Sequence, residues 1–217
     1  MFDGPQHVGV IPDGLRRWAN VNGAALTDAY LRGAAKVTEI IPALQRNNVQ
    51  TVSVYNLSRA NLSRHDEELG AVYAASTHFF TELIPAHFDP RVCSVRLYGD
   101  RSALPEAYVV AARDAEGAMN GNGFRINVLA AYDARDELRA AHVRAQRQGS
   151  DINDAFEVGR VDMVIRTTPE PLLSGFLPMQ SQYARLLFLT TPLNDLTGCD
   201  IDRLIADYRR FPQLRGR

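Results

Sequence analysis

Short runs rich in β-branched residues alternate along this chain with longer stretches in which apolar positions recur every three or four residues. The short runs fall at 8–11, 51–55, 94–97, 124–130, 162–165 and 185–189, and their nearly continuous apolar character predicts strands buried on both faces. The longer stretches at 28–46, 64–84, 106–119 and 133–147 carry Ala, Leu, Glu and Arg in the spacing of amphipathic helices, and a last helix is expected over roughly 200–210. Strand then helix, repeated, predicts a single α/β domain over 1–217. Its mostly parallel central sheet of about six strands should be joined by right-handed crossovers and flanked by helices on both faces. The stretch from Thr167 to Tyr183 carries three prolines and is too long for a plain turn, so it is a candidate lid or binding loop.

Composition narrows the partners. Lys and Arg number 24 against 25 Asp and Glu, which excludes the basic footprint of a general nucleic-acid binder, so an anionic ligand has to be met locally. Apolar residues at 46% and charged residues at 23% exclude disordered and disulfide-dense classes. Cys93 and Cys199 stand far apart with no ligand-type spacing, which argues against structural zinc and for a reducing, cytoplasmic setting. No signal-like or membrane-spanning apolar run is visible in the sequence.

In an open α/β sheet the ligand crevice lies beyond the carboxyl ends of the strands, so the residues after each strand matter most. After the first come Pro12, Asp13, Gly14, Leu15, Arg16, Arg17 and Trp18: a carboxylate, a flexible glycine and two guanidinium groups where a helix begins. Amides at a helix start and arginine forks suit phosphate, and Asp13 suits Mg²⁺, although an Asp N-cap with solvated arginines fits the same residues. After the second strand, Ser58, Asn61 and Arg64 follow at three-residue intervals and offer hydroxyl, amide and guanidinium donors to one side. After the third comes Gly99-Asp100-Arg101, and after the fifth Arg166, Thr167, Thr168, Glu170 and Ser174. Four such clusters in a chain without excess positive charge point to a polyanion, most simply a diphosphate. Ala34, Val37, Ile40, Ile41, Ala71, Ala74, Ala75, Phe79 and Phe80 read first as core packing. Should some line a cleft, the ligand has an anionic head and an oily tail.

The runs HVGVIPDGLRRWA (7–19), YNLSRANLSR (55–64), RLYGDRSALP (96–105) and DMVIRTTPEPLLSGFLPMQSQY (162–183) stand in the order and spacing of the cis-prenyltransferases. The chain resembles the undecaprenyl diphosphate synthase-like family over nearly its whole length. The resemblance implies a homodimeric α/β enzyme that ionises or displaces an allylic diphosphate and joins its carbon to a second prenyl unit with Mg²⁺. By position, Asp13 would bind Mg²⁺ and the allylic diphosphate, with Gly14, Leu15, Arg16 and Arg17 around it. Ser58, Asn61 and Arg64 match the second motif, and Arg166 and Ser174 match positions that hold the second diphosphate.

Departures from the family pattern are as informative. Leu15-Arg16 stand for Asn-Gly, Leu26 and Tyr30 for an arginine and a histidine, and Ala60 and Leu62 for a glutamate and a tryptophan. Leu172 stands for an arginine, Arg185 for a second magnesium carboxylate, and Leu214 for the arginine of the motif ending at Gly216. Pro12, Arg16-Arg17, Leu26, Tyr30, Ala60 and Pro178 resemble the lavandulyl and cyclolavandulyl diphosphate synthase branch, which implies an irregular coupling of short allylic diphosphates such as dimethylallyl diphosphate. Leu172 and Arg185 depart from that branch too. They open the alternative of an acceptor without a diphosphate, a small aromatic or amine, and a magnesium dependence reduced by Arg185. A non-catalytic subunit of a heteromeric enzyme is a further alternative, against which Asp13 stands. Glu170, Tyr30, His65, Ser58 and the released diphosphate are the candidate proton acceptors, while Trp18 is expected to pack the first helix on the sheet.

Overall fold

The computed structural model describes residues 4–210. Six strands form one all-parallel sheet: β1 (His7–Ile11), β2 (Thr51–Tyr55), β3 (Cys93–Tyr98), β4 (Phe124–Leu129), β5 (Met163–Arg166) and β6 (Arg185–Phe188), in the order β3-β4-β2-β1-β5-β6. Between them run α1 (Leu15–Asn22), α2 (Leu26–Arg46), α3 (Asp66–His78), α4 (Ile84–His87), α5 (Glu106–Ala118), α6 (Ala134–Gln148) and finally α7 (Gly198–Arg210). The stretch expected to be one helix from 64 to 84 begins two residues later and loses its α register at a π turn over Phe79–Leu83, just before Pro85. Proline cannot donate the bond that would continue the α ladder, and the wider turn accommodates it.

Helices flank the sheet, but unequally. Val8, Val10, Val52, Val54, Ile126, Val128, Met163 and Ile165 face the main core, which α2, α3, α5 and α7 close with Ile40, Ile41, Leu44, Ala112, Ile201 and Ile205. On the other face Tyr55, Leu129 and Val164 meet Val158, Val161, Phe176 and Leu177 from the irregular chain that follows α6. Phe176 and Leu177 are fully buried there and do the covering a helix would otherwise do. Gly9 makes this possible: a Cβ on it would lie 2.4 Å from the Phe176 ring. So the candidate lid is pinned into the core at its middle, and it reaches Leu177 through left-handed backbone at Ser174 (φ 51°), Gly175 (φ 83°) and Leu177 itself (φ 39°). Both cysteines are free, Cys93 buried and Cys199 exposed. Trp18 does not pack on the sheet as expected; its indole N–H donates to Asp195 at 2.9 Å and the Arg32 guanidinium covers its ring.

Candidate active site

The chain leaves β1 toward β2 on one side, while β5 lies on the other, so the strand order reverses between β1 and β5. A crevice at such a switch point is the general ligand position of open parallel sheets. Here Ile11 stands opposite Arg166 in register, which brings the first and fifth strand ends side by side. A cavity of about 640 Å³ opens there between the sheet and the pair α2 and α3. Asp13, Gly14, Arg16, Arg17, Ser58, Asn61, Arg64, Arg166 and Ser174 ring its mouth, and Leu15, Ala34, Val37, Val54, Val72, Ala75, Phe79 and Val128 line its inside. Of the helix residues weighed as core or cleft, Ala34, Val37, Ala75 and Phe79 face the cavity, whereas Ile40, Ile41, Ala71 and Phe80 are buried in the core.

Asp13 sits at the centre of a hydrogen-bond network. Its Oδ2 accepts from Arg166 Nη2 at 2.7 Å and from Thr168 Oγ1 at 3.1 Å, and its Oδ1 accepts from the Gly14 amide at 2.7 Å. Thr167 fixes the backbone beside it, accepting from the Asp13 N–H at 2.8 Å and donating to the Asp13 carbonyl at 2.8 Å. Burial opposes ionisation of Asp13, but the donors from Arg166, Gly14 and Thr168 outweigh it and hold the carboxyl below its ordinary range. Gly14 turns the chain into α1 with φ 87°, and a Cβ there would press on Pro192 at 3.0 Å. Arg166 is 8% exposed and is itself held by Thr168, Ser174 Oγ at 3.0 Å and the Leu172 carbonyl at 2.5 Å.

Across the mouth stands a second network that the sequence reading missed. Glu68, 6% exposed in the first turn of α3, accepts from Arg64 Nη1 at 2.8 Å, Arg16 Nη1 at 3.3 Å and the Tyr30 hydroxyl at 2.8 Å. Burial first, and then the Glu68 carboxylate, push the Tyr30 phenol well up, so Tyr30 stays a donor. Ser58 and Asn61 form a reciprocal capping box at the start of a 3₁₀ turn over Arg59–Ser63, Ser58 Oγ accepting from the Asn61 amide at 3.1 Å and Asn61 Oδ1 from the Ser58 amide at 3.0 Å. The cap leaves the Asn61 NH₂ with no part in it, beside the cavity. Arg17 forks onto Glu170 at 3.0 and 3.4 Å, with Asp13 at 4.0 Å. Bonds from Thr168 first and then Arg17 pull Glu170 down to about 2, which makes it a poor proton acceptor. Tyr55, also unforeseen, lines the wall and donates to the Ser174 carbonyl at 3.1 Å.

Other expected residues stand elsewhere. Arg185 is opposite Met163, at the amino edge of the sheet; its guanidinium donates to the carbonyls of Asp207 and Tyr208 and covers the Tyr208 ring. The strand separates it from Asp13, so within one chain it neither reaches the cavity mouth nor stands beside Asp13. Asp100 and Arg101 face Arg59 and Glu116 beyond β4, because β3 is the edge strand farthest from β1 on its side. His65 is the exposed residue before α3 and is not part of the cavity wall. Leu172 is 58% exposed. Leu214 and Gly216 lie outside the described residues.

The donor set fits a hard divalent cation of the kind completed by substrate. Among the described residues no three His, Cys, Asp or Glu side chains gather to hold a metal alone. Mg²⁺ is commonly bound by one or two carboxylates together with phosphate oxygens and water, and Asp13, ionised and 33% exposed at the mouth, supplies such a carboxylate.

The model of the family described as "Putative undecaprenyl diphosphate synthase" matches residues 11–215. Over 226 residues the chain is 32% identical to the short-chain Z-isoprenyl diphosphate synthase of Mycobacterium leprae, covering 94% of this chain and 85% of that one. It is 31% identical over 240 residues to the (2Z,6E)-farnesyl diphosphate synthase of Mycobacterium tuberculosis, covering 99% and 89%. The lavandulyl diphosphate synthase of Lavandula x intermedia, solved in complex with dimethylallyl diphosphate, superposes with a TM-score of 0.84 over 96% of this chain and 97% of that chain. At 22% identity that likeness is one of fold.

Proposed function

This chain belongs to the undecaprenyl diphosphate synthase family of prenyltransferases, and from that premise we propose that it takes a short allylic diphosphate, dimethylallyl diphosphate first, and couples its prenyl group irregularly instead of elongating a polyprenyl chain. The convergence of Asp13, Gly14, Arg16, Arg17 and Arg64 around one cavity mouth carries the reading. Gly14 opens a helix whose amides face the anion, Arg16, Arg17 and Arg64 supply guanidinium donors, and Arg166 orients Asp13. A Mg²⁺ ion held by Asp13 would neutralise charge on the departing diphosphate. The apolar wall from Ala34 to Val128 excludes water from the allyl fragment. Tyr30 is a donor, Glu170 is pulled low and Ser58 is locked in its cap, which leaves the released diphosphate as the proton acceptor.

Irregular coupling is supported by the residues that set this mouth apart. Arg16 and Tyr30, both departures from the chain-elongating pattern, meet on Glu68 and act as one unit. The reading includes a homodimer, for which Met179, Tyr183 and Leu186 offer exposed apolar surface beside β6. Incubating the purified chain with Mg²⁺ and radiolabelled dimethylallyl diphosphate, with isopentenyl diphosphate and without, tests the reaction. Products that lengthen by five-carbon units with isopentenyl diphosphate would refute the irregular reading. Light scattering in solution tests the dimer.

A further inference from the structure

Glu68 stands behind the anion site and offers it no donor. Buried in the first turn of α3, its carboxylate accepts from Arg64 at 2.8 Å, Arg16 at 3.3 Å and the Tyr30 hydroxyl at 2.8 Å. Arg16 and Arg64 are also two of the guanidinium groups at the cavity mouth. The same two cations therefore face a resident anion and a visiting one. The pair of Arg17 with Glu170 has the same chemistry, but its side chains are 57% and 45% exposed and water screens it. Glu68 lacks that screening, so its charge weighs more on whatever the two arginines hold.

The three donors on Glu68 differ in how freely they can leave. Arg16 is mostly exposed, Arg64 lies at the mouth, and each places a single guanidinium nitrogen on Glu68, so both can turn toward a ligand. Tyr30 stays. Burial and the Glu68 carboxylate push its phenol up, so it keeps its proton and remains a donor. The first-turn amides of α3 favour a carboxylate as well. When a diphosphate draws Arg16 and Arg64 away, Glu68 is left buried with one neutral donor and the helix start. A buried charge that loses its partners is strongly unfavourable, and an anion seated on the same guanidinium groups adds like-charge repulsion. Both effects act to return the two arginines to Glu68.

We infer that Glu68 is a positioning residue for the last step of the cycle: acting through Arg16 and Arg64, it drives release of inorganic diphosphate and resets the mouth for the next donor. This rests on the donor reading above. Substrate and product share the diphosphate, and Glu68 opposes both. The donor is also held through its prenyl group by the apolar wall from Ala34 to Val128, whereas free diphosphate has only the charged mouth. The opposing charge therefore removes a small share of the donor's binding and a large share of the product's.

The test reads release directly. Radiolabelled diphosphate is bound to the full chain with Mg²⁺, and its dissociation is followed after rapid dilution into unlabelled diphosphate. Glu68→Gln keeps the shape and an oxygen for Tyr30 while removing the charge. It should slow dissociation about fivefold and leave association nearly unchanged. With dimethylallyl diphosphate as substrate, kcat and KM of this variant should fall together, and a burst of product should precede a slower steady state. Glu68→Asp keeps the charge and should restore fast release and abolish the burst. A Glu68→Gln chain that releases diphosphate as fast as the parent, or a Glu68→Asp chain as slow as Glu68→Gln, overturns the inference while leaving the donor reading intact. A lowered kcat with unchanged release marks a merely structural role and overturns it too. A parent that fails to bind dimethylallyl thiolodiphosphate, whose sulfur bridge resists ionisation, removes the donor reading itself and the inference with it.

Discussion

Replacing Glu68 with alanine should pull stability and ligand affinity in opposite directions. The buried carboxylate holds Arg64 at 2.8 Å, Tyr30 at 2.8 Å and Arg16 at 3.3 Å. A hydrogen bond between charged partners contributes about 1.5–3 kcal/mol and a neutral donor about 1 kcal/mol. Arg16 is 63% exposed, and solvent screening reduces its share to at most about 1 kcal/mol. Loss of the carboxylate therefore costs about 3 kcal/mol, within the range found when one partner of a buried pair is removed. The same change frees two guanidinium groups from the charge that neutralises them at the mouth. A unit charge in a partly exposed site is worth on the order of 1 kcal/mol, so inorganic diphosphate should bind about fivefold more tightly. Urea denaturation gives the first quantity, and calorimetric titration of the folded variant gives the second. A variant as stable as the parent, or one that is folded and binds diphosphate more weakly, refutes the reasoning.

Asp13→Ala should lower the rate of diphosphate release by at least about 10²–10³, the loss expected when a preorganised charge contact is deleted; a folded variant within tenfold of the parent in a phosphate-release assay removes Asp13 from the chemistry. Since the folded-state pKa of Asp13 is depressed, its pair with Arg166 contributes fully above the ordinary aspartate value and is lost only as pH falls through the lowered one. The pH profile of diphosphate release should accordingly show no Asp13 limb between pH 8 and 5, and an acid limb set by Arg166→Met at higher pH than in the parent is the expected check. His7 is buried between the Arg160 carbonyl and Ser53, and burial lowers its pKa. Its contribution to stability is complete above about pH 6.5 and declines as pH falls below it, so a urea midpoint that does not fall between pH 7 and 5, or that falls equally in His7→Gln, contradicts this. Gly9→Ala forces a methyl into the Phe176 ring and should cost about 1–3 kcal/mol or more, measurable as a lowered Tm.

The strands were legible to within a residue or two because their runs are short, β-branched and bounded by polar or turn residues, whereas apolar runs of similar length such as 107–112 sit inside longer Ala-rich helical stretches; only β6, at the sheet edge, departs from the expected burial on both faces. The clusters at Asp13 and Ser58 were legible because each lies within a few residues of its strand end. Gly99-Asp100-Arg101 looked equivalent, and only the strand order, which sets β3 at an edge beyond β4, removes it from the cavity. Arg185 misled for a related reason: it opens its strand, so the register fixes it at the amino edge. Glu68 escaped notice although Arg64 precedes it by four residues, a spacing that pairs charges on a helix. Its other two partners come from α1 and α2, and nothing local announces that three helices pack there.

The pinning of Phe176 and Leu177 into the second core bears on where the stretch after β5 can change. A segment tethered at its midpoint divides into an arm next to Arg166, where the exposed Leu172 can be exchanged, and a buried middle where nearly every exchange disturbs the sheet. Retuning by engineering or by drift therefore has few open addresses, and the short arm is where diversity should accumulate.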